Sequence, residues 1–316
     1  MPRLFWKTAV GAILLLCEDK GPPPDSIRFS RLRNHHHVLV RQRKQACPGG
    51  YDEKVYLWDL SKRKVTKSIN AKWSVRTLAV SPNNEILAVG TSFYDIFLYD
   101  LQKGKWMDPL SGHRRAISSL VFSKDGRTLF SCSRDMTIKV WDLRKGKEIK
   151  TLEGHKDAVY DLALSPDGKK LVSASHDGTL ILWDLDSLKN AAVLEGHKGV
   201  VLSATFSPDG KRIVSGGFDK KLIVWDVETK KPVLSYDGQN QIRCLKFIPN
   251  SPHLILGSEE GWLIHFDPMG GKILKKIQGH KDAVTSLEFQ SEGKTFYTSS
   301  FDKKIKEWSS KVFQDP

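Results

Sequence analysis

Cysteine is scarce in this chain, and its four copies do not pair by spacing. Cys17, Cys47, Cys132 and Cys244 fit neither a disulfide framework nor a metal-binding motif. A reducing compartment is the simpler expectation, which places the protein in the cytoplasm. No apolar run reaches the roughly 18 residues that a membrane-spanning helix needs. No window of helical length sustains a 3.6-residue period, which argues against a helical fold. The chain also lacks a Gly-x-Ser-x-Gly elbow, a phosphate-binding loop and a single-copy catalytic triad. No enzyme activity, cofactor or metal is therefore expected.

What is present is a soluble globular composition: 316 residues, 40% hydrophobic and 27% charged, with a net charge of +14. That charge would indicate a nucleic-acid or acidic-membrane surface only if it were concentrated on one face.

The organising feature is a repeat. Aromatic–acid pairs recur at Trp58-Asp59, Tyr99-Asp100, Trp141-Asp142, Trp183-Asp184, Trp225-Asp226 and Phe266-Asp267, and Trp308 completes the series. The aromatics are 41, 42, 42, 42, 41 and 42 residues apart. Within each period the apolar runs are short and bounded by turn signals such as Ser-Pro-Asp-Gly at 165–168 and 207–210. Four short strands per period make one sheet that cannot bury both faces alone, so sheets must stack around a ring.

The segment GHKDAVYDLALSPDGKKLVSASHDGTLILWDLD at 154–186 resembles the consensus of the WD-repeat β-propeller family. The resemblance runs from about Gly49 to Trp308. Repeats three, four, five and seven match closely, while two and six are degenerate but in register. It implies an all-β, seven-bladed propeller of four-stranded antiparallel blades over residues 23–316. The first blade is expected to be degenerate or disordered before residue 49, and residues 1–22 form an extension of uncertain origin.

A His, Ser/Thr, Asp and Trp set recurs at fixed offsets. The sets are His113, Ser131, Asp135, Trp141; His155, Ser173, Asp177, Trp183; His197, Ser215, Asp219, Trp225; and His280, Thr298, Asp302, Trp308. Fourfold repetition argues against a hydrolase triad, which is built once. The family uses these residues as a structural hydrogen-bond chain, and each link satisfies a group otherwise buried unpaired. Repeat two replaces the set with Ala71, Val89 and Phe93, and repeat six with Gly238, Leu256 and Glu260. Packing alone is expected to hold those two blades.

Residues 26–46 are compositionally foreign. Arginine supplies 6 of the 9 basic residues in 1–48. Four readings compete: a metal site at His35-His36-His37, a basic nucleic-acid arm, a divergent half-blade, and a reading-frame error. The metal reading is weak because consecutive side chains diverge on a strand. The frame reading rests on histidine codons, which encode Ile or Thr when read one nucleotide on. Upstream, residues 1–17 resemble a leader in charge and apolarity, but Leu16 stands where a small residue is needed before Cys17. A strand that closes the ring, or a misread segment, is favoured over export.

The resemblance also implies where a partner would bind. Top-face contacts map to Tyr51, Arg76, Arg134, Tyr160, His176, Leu202, Phe218, Arg243, Glu259 and Phe301, along with His35, Ser92, Ser118 and Thr285. Four large aromatics are expected to be exposed there, among cationic arginines, and these are residue types enriched at binding hot spots. The expected function is a non-catalytic interaction scaffold, a monomeric subunit of a larger complex. Its partner is a protein or peptide, acidic or phosphorylated, and not nucleic acid. One alternative is a substrate receptor of a cullin-type ubiquitin ligase, docking through Trp141-Asp142-Leu143-Arg144 with Arg144 as the contact. A propeller enzyme is the remaining alternative. On the opposite face, turn lysines such as Lys103, Lys145, Lys211 and Lys230 form a modestly basic rim.

Overall fold

The computed structural model describes residues 52–59, 64–290 and 293–313 with their side chains, and the backbone of Ile27–Arg28, His37–Val40 and Gln45–Pro48. The expectations for Tyr51, His35, residues 1–22, the histidine metal site and the reading frame concern side chains outside the described residues.

Repeat four shows the building plan. Val159–Leu164, Lys170–Ser175, Thr179–Asp184 and Lys189–Glu195 pair antiparallel in chain order. Short apolar runs such as residues 180–183 form the strands, and Ser-Pro-Asp-Gly closes the first turn. There Asp167 accepts the Lys169 backbone N–H at 3.0 Å, and Gly168 takes a left-handed φ of 81°. The acids Asp100, Asp142, Asp184, Asp226 and Asp267 of the aromatic–acid pairs each cap the turn before the outer strand. Asp142, for example, accepts the backbone N–H groups of Arg144 and Lys145 at 2.9 and 3.2 Å. The pair thus divides its work, the aromatic filling the core and the acid closing a turn.

Six blades have three or four strands with described side chains. They are blades two (75–106), three (117–152), four (159–195), five (201–237), six (242–278) and seven (284–309). The hairpin of repeat one, Lys54–Asp59 with Lys64–Asn70, joins backbone strands His37–Val40 and Gln45–Pro48 in a further four-stranded sheet. The all-β propeller architecture of antiparallel four-stranded sheets agrees with the sequence reading.

The first strands of successive blades touch one another, which makes them the inner ring. The core lies between blades. Val121, Val140 and Leu152 of blade three pack with Leu162, Leu171 and Ile181 of blade four in one cluster, and similar clusters join the other neighbours. Burial on both faces explains why Leu180, Ile181, Leu182 and Trp183 are apolar in succession rather than alternating. The outer strand Lys147–Leu152 has only its last residue buried. A single 3-10 turn, Ser310–Phe313, follows the last blade and stacks buried Phe313 on Phe296 at 5.8 Å.

Among the described residues no helix is long and apolar enough to cross a membrane. Replacing Ile181 (1% exposed) with Ala should cost about 2–4 kcal/mol of stability. Ile149→Ala on the exposed outer strand should stay within about 0.5 kcal/mol. Denaturant melts of the two variants check the interblade core, and equal losses would contradict it.

Candidate functional site

Each described first strand carries a β-bulge near its start. The register shifts between Val75 and Thr77, Ile117 and Ser119, Val159 and Asp161, Val201 and Ser203, Ile242 and Cys244, and Val284 and Ser286. The unpaired residues are therefore Arg76, Ser118, Tyr160, Leu202, Arg243 and Thr285, six of the positions singled out for the top face. A bulge bends its strand and re-aims one side chain. The residue before each turn Asp lies alongside: the Arg134 guanidinium of blade three sits 5.8 Å from the Tyr160 ring centroid of blade four. Tyr160 in turn lies 6.0 Å from the His176 ring, and His176 Nδ1 meets the Asp157 carboxylate at 2.8 Å.

A second group spans blades six and seven. Arg243 pairs with Glu259 and lies 5.0 Å from the centroid of Phe301. The expectation of exposed aromatics needs correction here. Of the described aromatics in that set only Phe218 is exposed, at 38%. Tyr160 and Phe301 are half-buried because an arginine covers each ring, and Leu202 is half-buried as well. The charge of Arg243 is matched by Glu259, so Arg134 is the more effective cation of the two.

The sequence reading missed an aromatic stack on blade two. Trp73 and Phe93 lie parallel at 4.3 Å, and Phe93 and Tyr94 at 5.0 Å. All three are exposed, at 40%, 38% and 47%. Phe93 had been singled out only as a lost Asp. The signal was available in its neighbours, since Trp73 and Tyr94 occupy loop positions that end on the same face.

The recurrent polar sets lie beneath this face. Trp183 Nε1–H donates to Ser173 Oγ at 2.9 Å, Ser173 Oγ meets His155 Nε2 at 2.7 Å, and His155 Nδ1 meets Asp177 Oδ2 at 2.9 Å. Asp177 also accepts the Lys156 backbone N–H at 2.8 Å, tying the loop between blades to the turn. Blades three, five and seven repeat the geometry. Burial works to raise each carboxyl, but the histidine hydrogen bond and further donors outweigh it. Asp135 and Asp177 are held well below the usual carboxylate range, Asp219 lies below it, and Asp302 falls to about 2.

The two blades without the set are not held by packing alone, contrary to expectation. At blade two, Lys67 Nζ of the repeat-one hairpin donates across the joint to Tyr99 Oη at 2.7 Å. In blade six, Lys276 Nζ donates to Asn240 Oδ1 at 2.7 Å, and Asn240 Nδ2 donates to Glu260 at 3.0 Å. Lys276 also sits 4.3 Å from the Trp262 ring centroid.

Asp161, on the inner strand of blade four, was not anticipated. It accepts Ser203 Oγ at 3.0 Å, the Ala204 N–H at 3.2 Å and the Leu162 N–H at 3.0 Å, with Ser119 Oγ at 3.4 Å. One carboxyl thereby bridges blades three, four and five. Burial outweighs those donors and pushes its pKa up to about 7. Arg144 stands exposed on its turn. Among the described residues no three His, Cys, Asp or Glu side chains gather to hold a metal.

The WD domain, G-beta repeat family matches residues 104–142, 146–184, 188–226 and 271–309. Propellers of this kind generally mediate protein–protein interactions and are generally non-enzymatic. The chain is 28% identical over 139 residues to the anaphase-promoting complex subunit cdh1 of Dictyostelium discoideum, covering 43% of this chain and 17% of that one. It is 40% identical over 68 residues to the periodic tryptophan protein 2 homolog of Neurospora crassa, covering 21% and 8%. It is 35% identical over 100 residues to the small ribosomal subunit protein RACK1 of Neurospora crassa, covering 29% and 31%. The matches thus span less than a third of each of these relatives.

Asp177→Ala should lower the melting temperature by several degrees, since a hydrogen bond to a charged acceptor contributes about 1.5–3 kcal/mol. Unchanged melting would rule out a stabilising role for the set. Asp161 has the opposite pH signature. An unfolded Asp titrates near 3.9, so a raised folded value stabilises most below about pH 4 and is lost as pH rises through about 7. The melting temperature of Asp161→Asn relative to the parent should therefore climb between pH 5 and pH 8. A constant difference across that range would contradict the assignment.

Proposed function

We propose that this member of the WD-repeat β-propeller family is a non-catalytic scaffold whose top face binds an acidic or phosphorylated segment of a partner protein. The observation that carries this reading is the Arg134–Tyr160–His176 group. A guanidinium is held over an aromatic face by a bulge that re-aims Tyr160, so both are positioned before a partner arrives. Arginine favours carboxylate and phosphate recognition because its fork matches their geometry. Phe218 and the Trp73–Phe93–Tyr94 stack supply apolar area on the same face.

The scaffold is a ring of seven blades formed by one domain. Strand His37–Val40 touches both Val75–Val80 and Val284–Phe289, and Ile27–Arg28 pairs with Lys304 and Ile305 at the edge of blade seven. Both contacts support closure of blade seven by an N-terminal strand, the arrangement that resemblance to the family implies. The unpaired Cys132 and Cys244 support a reducing, cytoplasmic setting for a monomeric subunit of a larger assembly.

Arg134→Glu combined with Phe218→Ala should abolish capture of the partner that the parent protein retains from a lysate, as read by mass spectrometry. The melting temperature should stay within about 2 °C, since both are surface changes. Retained capture would overturn the top-face assignment.

A further inference from the structure

The joint between blades six and seven places an ionisable ring where other joints have aliphatic side chains. The residue before the aromatic of each aromatic–acid pair is Leu98, Val140, Leu182 and Val224 in blades two to five, and each is buried against the next blade. In blade six it is His265. Strand pairing puts Lys246, Ile255, His265 and Lys275 in one row across the sheet, so they share a face. That face is turned to blade seven, since Ile255 clusters with Val284, Leu287 and Phe296, and Lys246 pairs with Glu288.

The 3-10 turn Ser310–Phe313 covers the ring. The Phe313 centroid lies 5.4 Å from that of His265 and 5.8 Å from that of Phe296. Ser310 anchors the start of the turn to blade seven, its N–H and hydroxyl donating to the Lys294 carbonyl at 2.8 and 3.0 Å. Beyond that anchor, Val312 and Phe313 hold the turn by apolar packing. Both His265 nitrogens are buried, and among the described residues neither makes a hydrogen bond. The neutral ring therefore packs as an apolar group. An imidazolium in its place would bring a charge and two donors that nothing there accepts.

The charged groups around it do not relieve that cost. His253 stands edge-on at 5.2 Å, a second base. Lys275 and Lys246 are cations of the same row, and Lys246 already holds Glu288. Lys311, on the turn itself, is a further cation. Asp267, two residues along the strand, is engaged by the Met269 and Gly270 N–H groups at 2.9 Å each. Burial and the neighbouring His253 hold His265 below the ordinary histidine value, against the pull of Asp267.

We propose that the Ser310–Phe313 turn is an acid-released latch: protonation of His265 expels Phe313 from the joint, and water enters to solvate the imidazolium. Opening bares Phe296 at the seam between blades six and seven. Docking requires the neutral ring, whereas in the undocked state the ring titrates near 6.5. Docking is therefore strongest above about pH 7 and weakens as pH falls below about 6.5. Burial also lowers His280 of blade seven, but that ring is bonded to Asp302 and Thr298 and is kept in every variant below.

The test follows amide hydrogen exchange of the full chain by mass spectrometry at pH 7.5 and pH 5.5, each rate divided by the intrinsic rate at that pH. Protection of the amides of residues 310–313 should fall about three- to tenfold on acidification, the range open to one histidine, while protection of Thr179–Asp184 in blade four stays level. His265→Leu, the residue blade four carries as Leu182, and His265→Asn cannot titrate, and each should show the same protection at both pH values. Phe313→Ala should leave the turn open at both. His253→Gln should retain the fall, which assigns the proton to His265. No fall in the parent, an equal fall in either His265 variant, or a fall abolished by His253→Gln would overturn the proposal.

Discussion

The blades described with their side chains have two apolar faces and neighbouring blades with which to cover them. Leu171 and Val172 are adjacent, point to opposite faces, and are both fully buried. They belong to different clusters, one shared with blade three and one with blade five. Stability is therefore a sum of interfaces between neighbours. The constraint reaches the chemistry. Because the faces are committed to packing, polar and charged groups are left to the loops, the inner edge and the outer rim.

Those three places use polarity differently. On the top, Asp177 joins a buried tryptophan, through His155 and Ser173, to the backbone of the loop that enters the blade. That chain holds turn and loop in one geometry, and the neighbouring residues place exposed His176 beside half-buried Tyr160 at the top surface. Fixing the loops below thus orders the surface above. On the inner edge, Asp161 reaches Ser203 and Ala204 in one neighbouring blade and Ser119 in the other. On the bottom, the turn acids accept backbone N–H groups of their own turns, and some also meet a turn lysine, as Asp100 meets Lys103 at 3.5 Å and Asp142 meets Lys145 at 4.0 Å. The lysine chains stay exposed and give a basic rim.

Much of this is legible in the sequence because the repeat is long and chemically redundant. The aromatic–acid pairs count out the sheets, and the His, Ser/Thr, Asp and Trp offsets locate turns and loops before any coordinate is known. The bulged positions were also legible, since they keep a constant offset from the histidine. Exposure was not. Tyr160 and Phe301 resemble Phe218 in sequence, but each lies under an arginine from a neighbouring blade, a relation that the position within a repeat does not encode. Blades two and six show the same limit. Tyr99 holds the tryptophan position of repeat two, but its partner Lys67, like Lys276 and Asn240 in repeat six, lies outside the recurrent set.

Departure from the repeat is where specificity enters. A perfectly regular ring would present equivalent surfaces at every joint, and a partner would have no register on it. Blade two loses the His and Asp, and the loop so released carries Trp73, Phe93 and Tyr94 as an exposed stack. Blade six loses the turn glycine, and its joint with blade five opens into a cavity while glycine-bearing joints close. In blade six a polar pair, Lys276 with Asn240, stands in for the missing set, and blade two is tied to the repeat-one hairpin by Lys67 and Tyr99, so both blades remain ordered while their loops diverge. The regular blades hold the ring together, and the irregular ones give it positions that a partner can distinguish.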